Sequence, residues 1–143
     1  MKKLLCCFIF LFAASSFVFA SPADLENALN LLNEGKTDEA MEIVKAKIQA
    51  DPDSSDNYLA LGLIQLEKEN YAEAKENFMQ ALKINRRIVA AHYMLAMIYE
   101  KEGNITEASD KWRRIVKYSK NETLKALAEK HIKQLEGEMN EDN

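Results

Sequence analysis

A 34-residue self-repeat constrains this chain more than any other feature of its sequence. The dipeptide Glu-Ala recurs at one fixed interval, and each copy opens a similar apolar pattern. The three copies are Glu39-Ala40, Glu73-Ala74 and Glu107-Ala108. A period of this length is typical of stacked helical hairpins, in which each hairpin buries its apolar face only against its neighbours. The repeat therefore predicts an array of helix pairs.

The repeat extends to the residues around each Glu-Ala pair. Residues 21–54, 55–88 and 89–122 align as three blocks without a gap. Four residues after its Ala, each block has a large apolar residue, and in its first half each block has a small one. The large residues are Val44, Phe78 and Trp112, and the small ones are Ala28, Gly62 and Ala96. A spacing of four keeps residues on one helical face, and small residues let two helices approach closely.

These motifs resemble the tetratricopeptide repeat family. The second block carries the family pattern most fully, with Tyr58, Leu61-Gly62, Ala74 and Phe78. The third block has Leu95-Ala96, Tyr99, Ala108 and Trp112, with Gly103 between its helices, and the first keeps Gly35, Ala40 and Pro52. The chain departs from the pattern where Gln65 replaces a Tyr, Arg86 and Lys120 replace Pro, and His92 replaces an aromatic residue.

The resemblance and the helical periodicity together predict an all-α fold. We expect a right-handed α-solenoid of three helix-turn-helix hairpins over residues 21–136, closed by a capping helix at residues 122–136. The acidic tail, residues 137–143, is expected to be disordered because it has almost nothing apolar to bury. The predicted helices are Pro22–Glu34, Asp38–Ala50, Asp56–Lys68, Ala72–Ile84, Val89–Glu102, Thr106–Tyr118 and Glu122–Glu136.

The first twenty residues have the pattern of a secretory signal peptide. Lys2 and Lys3 precede an apolar run, and the small residue Ala20 stands before the expected cut. The alternative is an uncleaved anchor in the inner membrane formed by residues 4–20. Both cysteines, Cys6 and Cys7, lie in this segment, so a cleaved chain has no disulfide or thiolate chemistry. We therefore expect a periplasmic or secreted protein.

Composition and motifs argue against several classes of function. The formal net charge is −4 at pH 7, which disfavours nucleic acid as a partner, and a membrane is expected to be a partner only if residues 1–20 are retained. The sequence has no nucleophile beside a base and no metal-ligand spacing, and its two histidines, His92 and His131, are far apart. We expect no cofactor, no metal and no enzymatic activity. His92 is interpreted as a core or edge residue rather than a ligand.

The face built from the first helix of each hairpin has the pattern of an apolar groove. The predicted groove residues are Leu25, Leu29, Leu32, Leu59, Leu63, Leu66, Tyr93, Met94 and Met97. Family members that clamp a terminal carboxylate use Lys and Asn on this face, and these positions carry neither. The resemblance thus implies an apolar or helical segment of another protein as the partner, and flexible Met side chains suit such a contact.

Several functional hypotheses remain open from the sequence. The first is an exported adaptor or assembly factor that binds a protein or peptide in the groove. The second is a membrane-anchored subunit of a cell-envelope complex, and a related hypothesis is a helper domain for an enzyme elsewhere. The third is a self-associating structural protein, since an apolar stripe can also pair two copies of one chain or pack within it.

Cleavage before Ser21 is a direct test of the predicted signal peptide. Ala20 suits a signal peptidase, and Ser21 with Pro22 is a favourable start for a helix, so we expect a mature N-terminus at Ser21. Intact-mass measurement on the exported protein checks this. A mass that retains residues 17–20 would favour the anchored form.

Overall fold

The computed structural model describes the backbone of residues 22–141 and the side chains of residues 26–137, and it forms seven α-helices over that range. They are α1 (Pro22–Asn33), α2 (Thr37–Ala50), α3 (Ser55–Glu67), α4 (Tyr71–Ile84), α5 (Val89–Lys101), α6 (Ile105–Tyr118) and α7 (Glu122–Glu141). Between residues 22 and 141 there is no strand. Each consecutive helix pair packs together, so the chain is the expected all-α solenoid of helical hairpins. Residues 1–20, the predicted signal peptide, lie outside the described part.

The helix ends follow local chemistry, and the bounds of α1 to α6 agree with the predicted ones to within one residue. Ser54 Oγ accepts a hydrogen bond from the backbone N–H of Asn57 at 3.4 Å, and Asn104 Oδ1 accepts one from Glu107 N–H at 3.3 Å. These contacts satisfy amides that the first helical turn leaves without partners.

The tight turn inside each hairpin needs a left-handed residue at the same repeat position. Gly35 and Gly103 take it with φ of 76° and 70°, and Glu69 takes it in the second hairpin with φ of 59°. Glycine adopts this conformation freely, whereas a side chain makes it costly. The second hairpin therefore tolerates strain that the other two avoid.

The repeat positions identified in the sequence form the core. Ala40, Ala74 and Ala108 are fully buried, as are the large residues four positions later, Val44, Phe78 and Trp112. Ala28 and Ala96 are also fully buried, and Gly62 is buried with them. The predicted alternation of small and large residues at the helix crossings is confirmed.

Helices α3 and α4 approach closely where Gly62 faces Phe78. A Cβ atom placed on Gly62 would lie 2.5 Å from the Phe78 ring, well inside van der Waals contact. Phe78 is itself fully buried and has no free space to move into. The packing of the second hairpin therefore requires glycine at residue 62.

Helix α7 covers the last hairpin, as predicted for a cap. Ala128 and Leu135 are buried against the core, with Leu124 and Ile132 partly buried beside them. Leu127 on the same helix differs from these residues, because its side chain is 38% exposed. It lies one turn before His131, which contacts both Glu100 of α5 and the Trp112 ring of α6.

Two further observations concern the chain ends and membranes. Helix α7 continues five residues past its predicted end at Glu136, into the segment expected to be disordered. Glu138, Met139 and Glu141 are good helix formers, and Gly137 alone does not stop the helix. Within residues 22–141 no helix is both long and apolar enough to cross a membrane.

Gly62→Ala tests whether the α3–α4 contact limits stability. Alanine normally stabilises a helix relative to glycine by about 1 kcal/mol, yet here the added methyl meets a ring that cannot move, and overpacking costs about 1–3 kcal/mol. We expect a net loss of stability in chemical denaturation.

Gly137→Ala is the matched control, because nothing lies within 4 Å of a Cβ at that exposed helical position. It should leave stability unchanged or raise it slightly. If Gly62→Ala stabilised the protein as much as Gly137→Ala, the close packing described for α3 and α4 would be wrong.

Candidate functional site

The predicted groove residues form a stripe that is neither core nor freely exposed. Among the described side chains, seven of them are partly buried and Met97 is 42% exposed. We call these eight residues the groove stripe: Leu29, Leu32, Leu59, Leu63, Leu66, Tyr93, Met94 and Met97. The side chain of the ninth predicted residue, Leu25, lies outside the described part.

The stripe packs against the core on one side and reaches solvent on the other. Leu59, Leu63 and Leu66 contact the core cluster that contains Phe78 and Trp112. Leu29 and Leu32 contact a second cluster, around Ala40 and Val44. Met97 is the most exposed member of the stripe, and exposed apolar side chains that lie together are typical of contact surfaces.

Two residues of α7 occupy repeat positions equivalent to those of the groove stripe, and they were not among the predicted groove residues. Leu127 and His131 follow Tyr93 and Met97 by 34 residues each, so they occupy the equivalent repeat positions on the capping helix. Leu127 is one of the few large apolar residues that is more than a third exposed. Extending the 34-residue register past residue 122 would have found both residues.

An aromatic stack closes this end of the stripe. The ring of Trp112 is fully buried, with Tyr93 packed edge-on at 5.5 Å and the imidazole of His131 stacked at 4.3 Å between ring centroids. Such pairs add stability beyond the area that they bury. Because Trp112 is the only tryptophan of the chain, it reports directly on this end of the stripe.

A single carboxylate joins the stack to α5. Glu100 Oε1 accepts a hydrogen bond from Trp112 Nε1 and lies 2.9 Å from His131 Nδ1. A carboxylate can only accept, so His131 carries its hydrogen on Nδ1. The Glu100 side chain is 23% exposed, which leaves part of it open at the edge of the stripe. The carboxylate is therefore held in a fixed position beside solvent.

Comparison with known proteins identifies the repeats. Two family models described as tetratricopeptide repeat match residues 31–86 and 59–119. This chain belongs to the tetratricopeptide repeat family. The matched ranges contain all three Glu-Ala pairs and most of the groove stripe.

Solved structures share this architecture. The type III secretion chaperone SycD of Yersinia enterocolitica, in complex with a peptide of the translocator YopD, matches with a TM-score of 0.74 and 16% identity, over 82% of this chain and 92% of that one. The tetratricopeptide repeat domain of P58(IPK) matches with a TM-score of 0.75 and 21% identity, over 80% of this chain and 32% of that one. At these identities the likeness shows the fold alone.

Among sequence relatives, a tetratricopeptide repeat and J domain-containing co-chaperone of Cryptococcus neoformans is 34% identical over 84 residues. That match covers 59% of this chain and 16% of the relative. The chain spans less than a fifth of the length of the curated relatives that it matches. The match therefore does not assign the functions of these longer proteins to this chain.

A second concavity of this tetratricopeptide repeat protein lies between α4, α5 and α6, and it is polar. Its volume is about 300 Å³, and its walls are Leu82, Arg86, His92, Asp110, Lys111, Arg114 and Tyr118. Asp110 pairs with Lys111 at 3.0 Å and with Arg114 at 3.3 Å. Burial opposes ionisation of Asp110, yet these two cations lower the pKa of its carboxyl group below the usual value. Three lining side chains are cationic and one is acidic, so the lining keeps a net positive charge.

His92 at this concavity is the core histidine expected from the sequence. It is 6% exposed, its ring stacks on Tyr118 at 5.8 Å, and its Nε2 lies 3.0 Å from the carbonyl oxygen of Arg86. Burial lowers the pKa of His92, and the charges of Lys111 and Arg114 add to that effect. The ring thus fills the place of the aromatic residue that the family pattern has at this position.

The described residues contain no group of three or more His, Cys, Asp or Glu side chains placed to hold a metal ion. Several carboxylates in that part of the chain form ion pairs with Lys or Arg. Examples between neighbouring elements are Asp38 with Lys68 at 2.6 Å and Glu102 with Lys75 at 2.7 Å. These are contacts that tie neighbouring elements together.

The buried His92 predicts a pH dependence of stability. Its pKa is lower in the folded protein than in the unfolded chain, so the unfolded chain binds the proton more readily and stability falls as the pH drops below about 6.5. We expect the wild type to lose more unfolding free energy between about pH 7 and pH 5 than His92→Phe does.

Phenylalanine keeps an aromatic ring beside Tyr118 but cannot be protonated. His131 and the carboxylates are present in both proteins, so the difference between the two denaturation series isolates His92. Equal losses in the two proteins would contradict the assignment of His92 as a neutral buried residue.

Proposed function

We propose that this protein is a non-enzymatic interaction module, an adaptor or assembly factor, that holds an apolar helical segment of another protein along the groove stripe. The observation that carries the proposal is the exposure of Met97 and Leu127, at 42% and 38%, beside the half-exposed Leu63 and Tyr93. Large apolar side chains in contact with water gain free energy when a partner covers them. Helices bind such grooves through anchors spaced along one face.

The comparisons support the same class of function. SycD has the same fold over most of both chains and was solved with a peptide of another protein. The first tetratricopeptide repeat domain of Spaghetti (RPAP3) has the same fold and was solved with a peptide of HSP90. We infer a peptide segment as the ligand of this chain too. The apolar character of that segment is our inference from the stripe, which carries only Leu, Met and Tyr.

We also propose that the module acts outside the cytosol, in the periplasm or beyond the cell. This rests on the sequence of residues 1–20, whose basic start, apolar run and small Ala20 favour export. If those residues stay attached, the same groove belongs to a membrane-anchored subunit of an envelope complex.

Leu63→Lys combined with Met97→Lys tests the groove. Both side chains reach solvent in the free protein, and a lysine can extend its charge into water, so helicity by circular dichroism should be nearly intact. Once a partner excludes water, the two charges are costly, and affinity capture from the native envelope should fall by more than about tenfold.

Met79→Lys is the matched control. Met79 is 43% exposed, as Met97 is, but it lies on α4, the second helix of its hairpin. It should retain full capture. If the double variant unfolds, the stripe residues belong to the core and not to a binding groove. If the double variant folds and still captures every wild-type partner, the groove proposal is wrong.

Self-association is the rival outcome of the same experiment. If the stripe pairs two copies of this chain, the wild type should sediment as a dimer and the double variant as a monomer. In that case no other protein would depend on Leu63 and Met97 for capture.

A further inference from the structure

Charge is distributed unequally between the two helices of the hairpins. The first helices, α1, α3 and α5, contain five acidic residues and one basic residue. The second helices, α2, α4 and α6, contain seven acidic and eight basic residues. The chain as a whole is only moderately acidic, so the negative charge is concentrated on the helices that carry the groove stripe.

The acidic residues of the first helices stand at the ends of the apolar stripe. On α3, Asp56, Leu59, Leu63 and Glu67 follow one another at spacings of three, four and four, which places them on one helical face. On α1, Glu26 precedes Leu29 by three residues and shares its face in the same way. Carboxylates thus border the apolar row of α3 at both ends and that of α1 at one end.

These border carboxylates have no cation of their own. Glu26, Asp56 and Glu67 are exposed, and none of them makes an ion pair within the described part of the chain. The one basic residue of the three helices, Lys101, places its ammonium 3.7 Å from the centre of the Tyr71 ring. The negative charge around the stripe is therefore left without a counter-charge on the same helices.

Glu100 adds a fixed acceptor at the α7 end of the stripe. Trp112 and His131 both bind Oε1, so the carboxylate is oriented before any ligand arrives. A carboxylate has lone pairs for further donors, and Glu100 is still partly open to solvent. Oriented acceptors lose little freedom on binding, which makes this a preorganised contact for a cationic group.

We propose that the segment held in the groove is an apolar helix with Lys or Arg residues flanking its apolar face, selected by Glu26, Asp56, Glu67 and Glu100. This inference rests on the proposed function and specifies the chemistry of its partner. Leucine and methionine side chains of the stripe cover the apolar face, and the carboxylates at its borders attract the flanking cations. Exposed charges of this kind govern association rate and choice of partner more than total affinity.

Three synthetic peptides test the proposal. The protein used is the full chain in the form in which it is isolated from its native cells. Each peptide is an amphipathic helix of about 18 residues without Trp, and all have the same Leu and Met face. Their flanking positions carry Lys, Gln or Glu. Binding is followed by anisotropy of a labelled peptide and by Trp112 emission. At low salt the Lys peptide should bind at least about tenfold more tightly than the Glu peptide, and about 0.5 M NaCl should remove most of this ratio.

Two triple variants locate the source of the selectivity. Glu26→Gln, Asp56→Asn and Glu67→Gln together should reduce the ratio to within about threefold. Glu39→Gln, Glu73→Gln and Glu76→Gln change the net charge by the same amount at exposed positions of the second helices, and this control should keep the wild-type ratio. Equal effects of the two variants would overturn the assignment to the groove borders.

The remaining outcomes separate this inference from the proposed function. If the three peptides bind equally and Leu63→Lys with Met97→Lys abolishes binding of all of them, the groove stands and the charge selection is wrong. If none of the peptides binds, or if the groove variant binds them all normally, both the cationic partner and the groove are contradicted.

Discussion

The structure depends on close helix crossings that only small residues allow. The buried Phe78 ring packs so close to Gly62 that a Cβ atom there would lie 2.5 Å from it. Ala28 and Ala96 are fully buried at the equivalent position in the other hairpins. Once these pairs meet, the next apolar residues of each second helix are buried as well. The same geometry leaves the opposite edge of the first helices half covered, and that edge is the groove stripe.

Most of the core could be predicted from the sequence, because small and large residues recur at the same positions in all three blocks. The small residue, the Ala and the large residue four positions later predicted the core, and the bounds of the first six helices were predicted to within one residue. The end of α7 was less predictable, because Gly137 and an acidic composition resemble a tail while the local residues still favour a helix. Side-chain partners such as Glu100 with Trp112 and His131 could not be predicted, since they join residues on three helices.

The groove as a binding site stays a prediction. The stripe on α1, α3 and α5 followed from repeat positions, and its partial exposure is consistent with a groove. Leu127 and His131 were missed because α7 was interpreted as a cap with one packed side. In the structure α7 has two roles: Ala128 and Leu135 cover the last hairpin, and Leu127 extends the apolar row. The proposed role of the border carboxylates depends on their position beside the stripe. The net charge of the chain does not predict that position.

Methionine methyl NMR tests the central claim most directly. Met97 and Met79 are almost equally exposed, at 42% and 43%, but one lies on the stripe and the other on the second helix of a hairpin. When the Lys-flanked peptide or a captured native partner is added, the account predicts that the Met97 methyl signal shifts or broadens and that the Met79 signal stays in place. A shift at Met79 with Met97 unchanged would contradict the account, because the partner would then bind the opposite side of the solenoid.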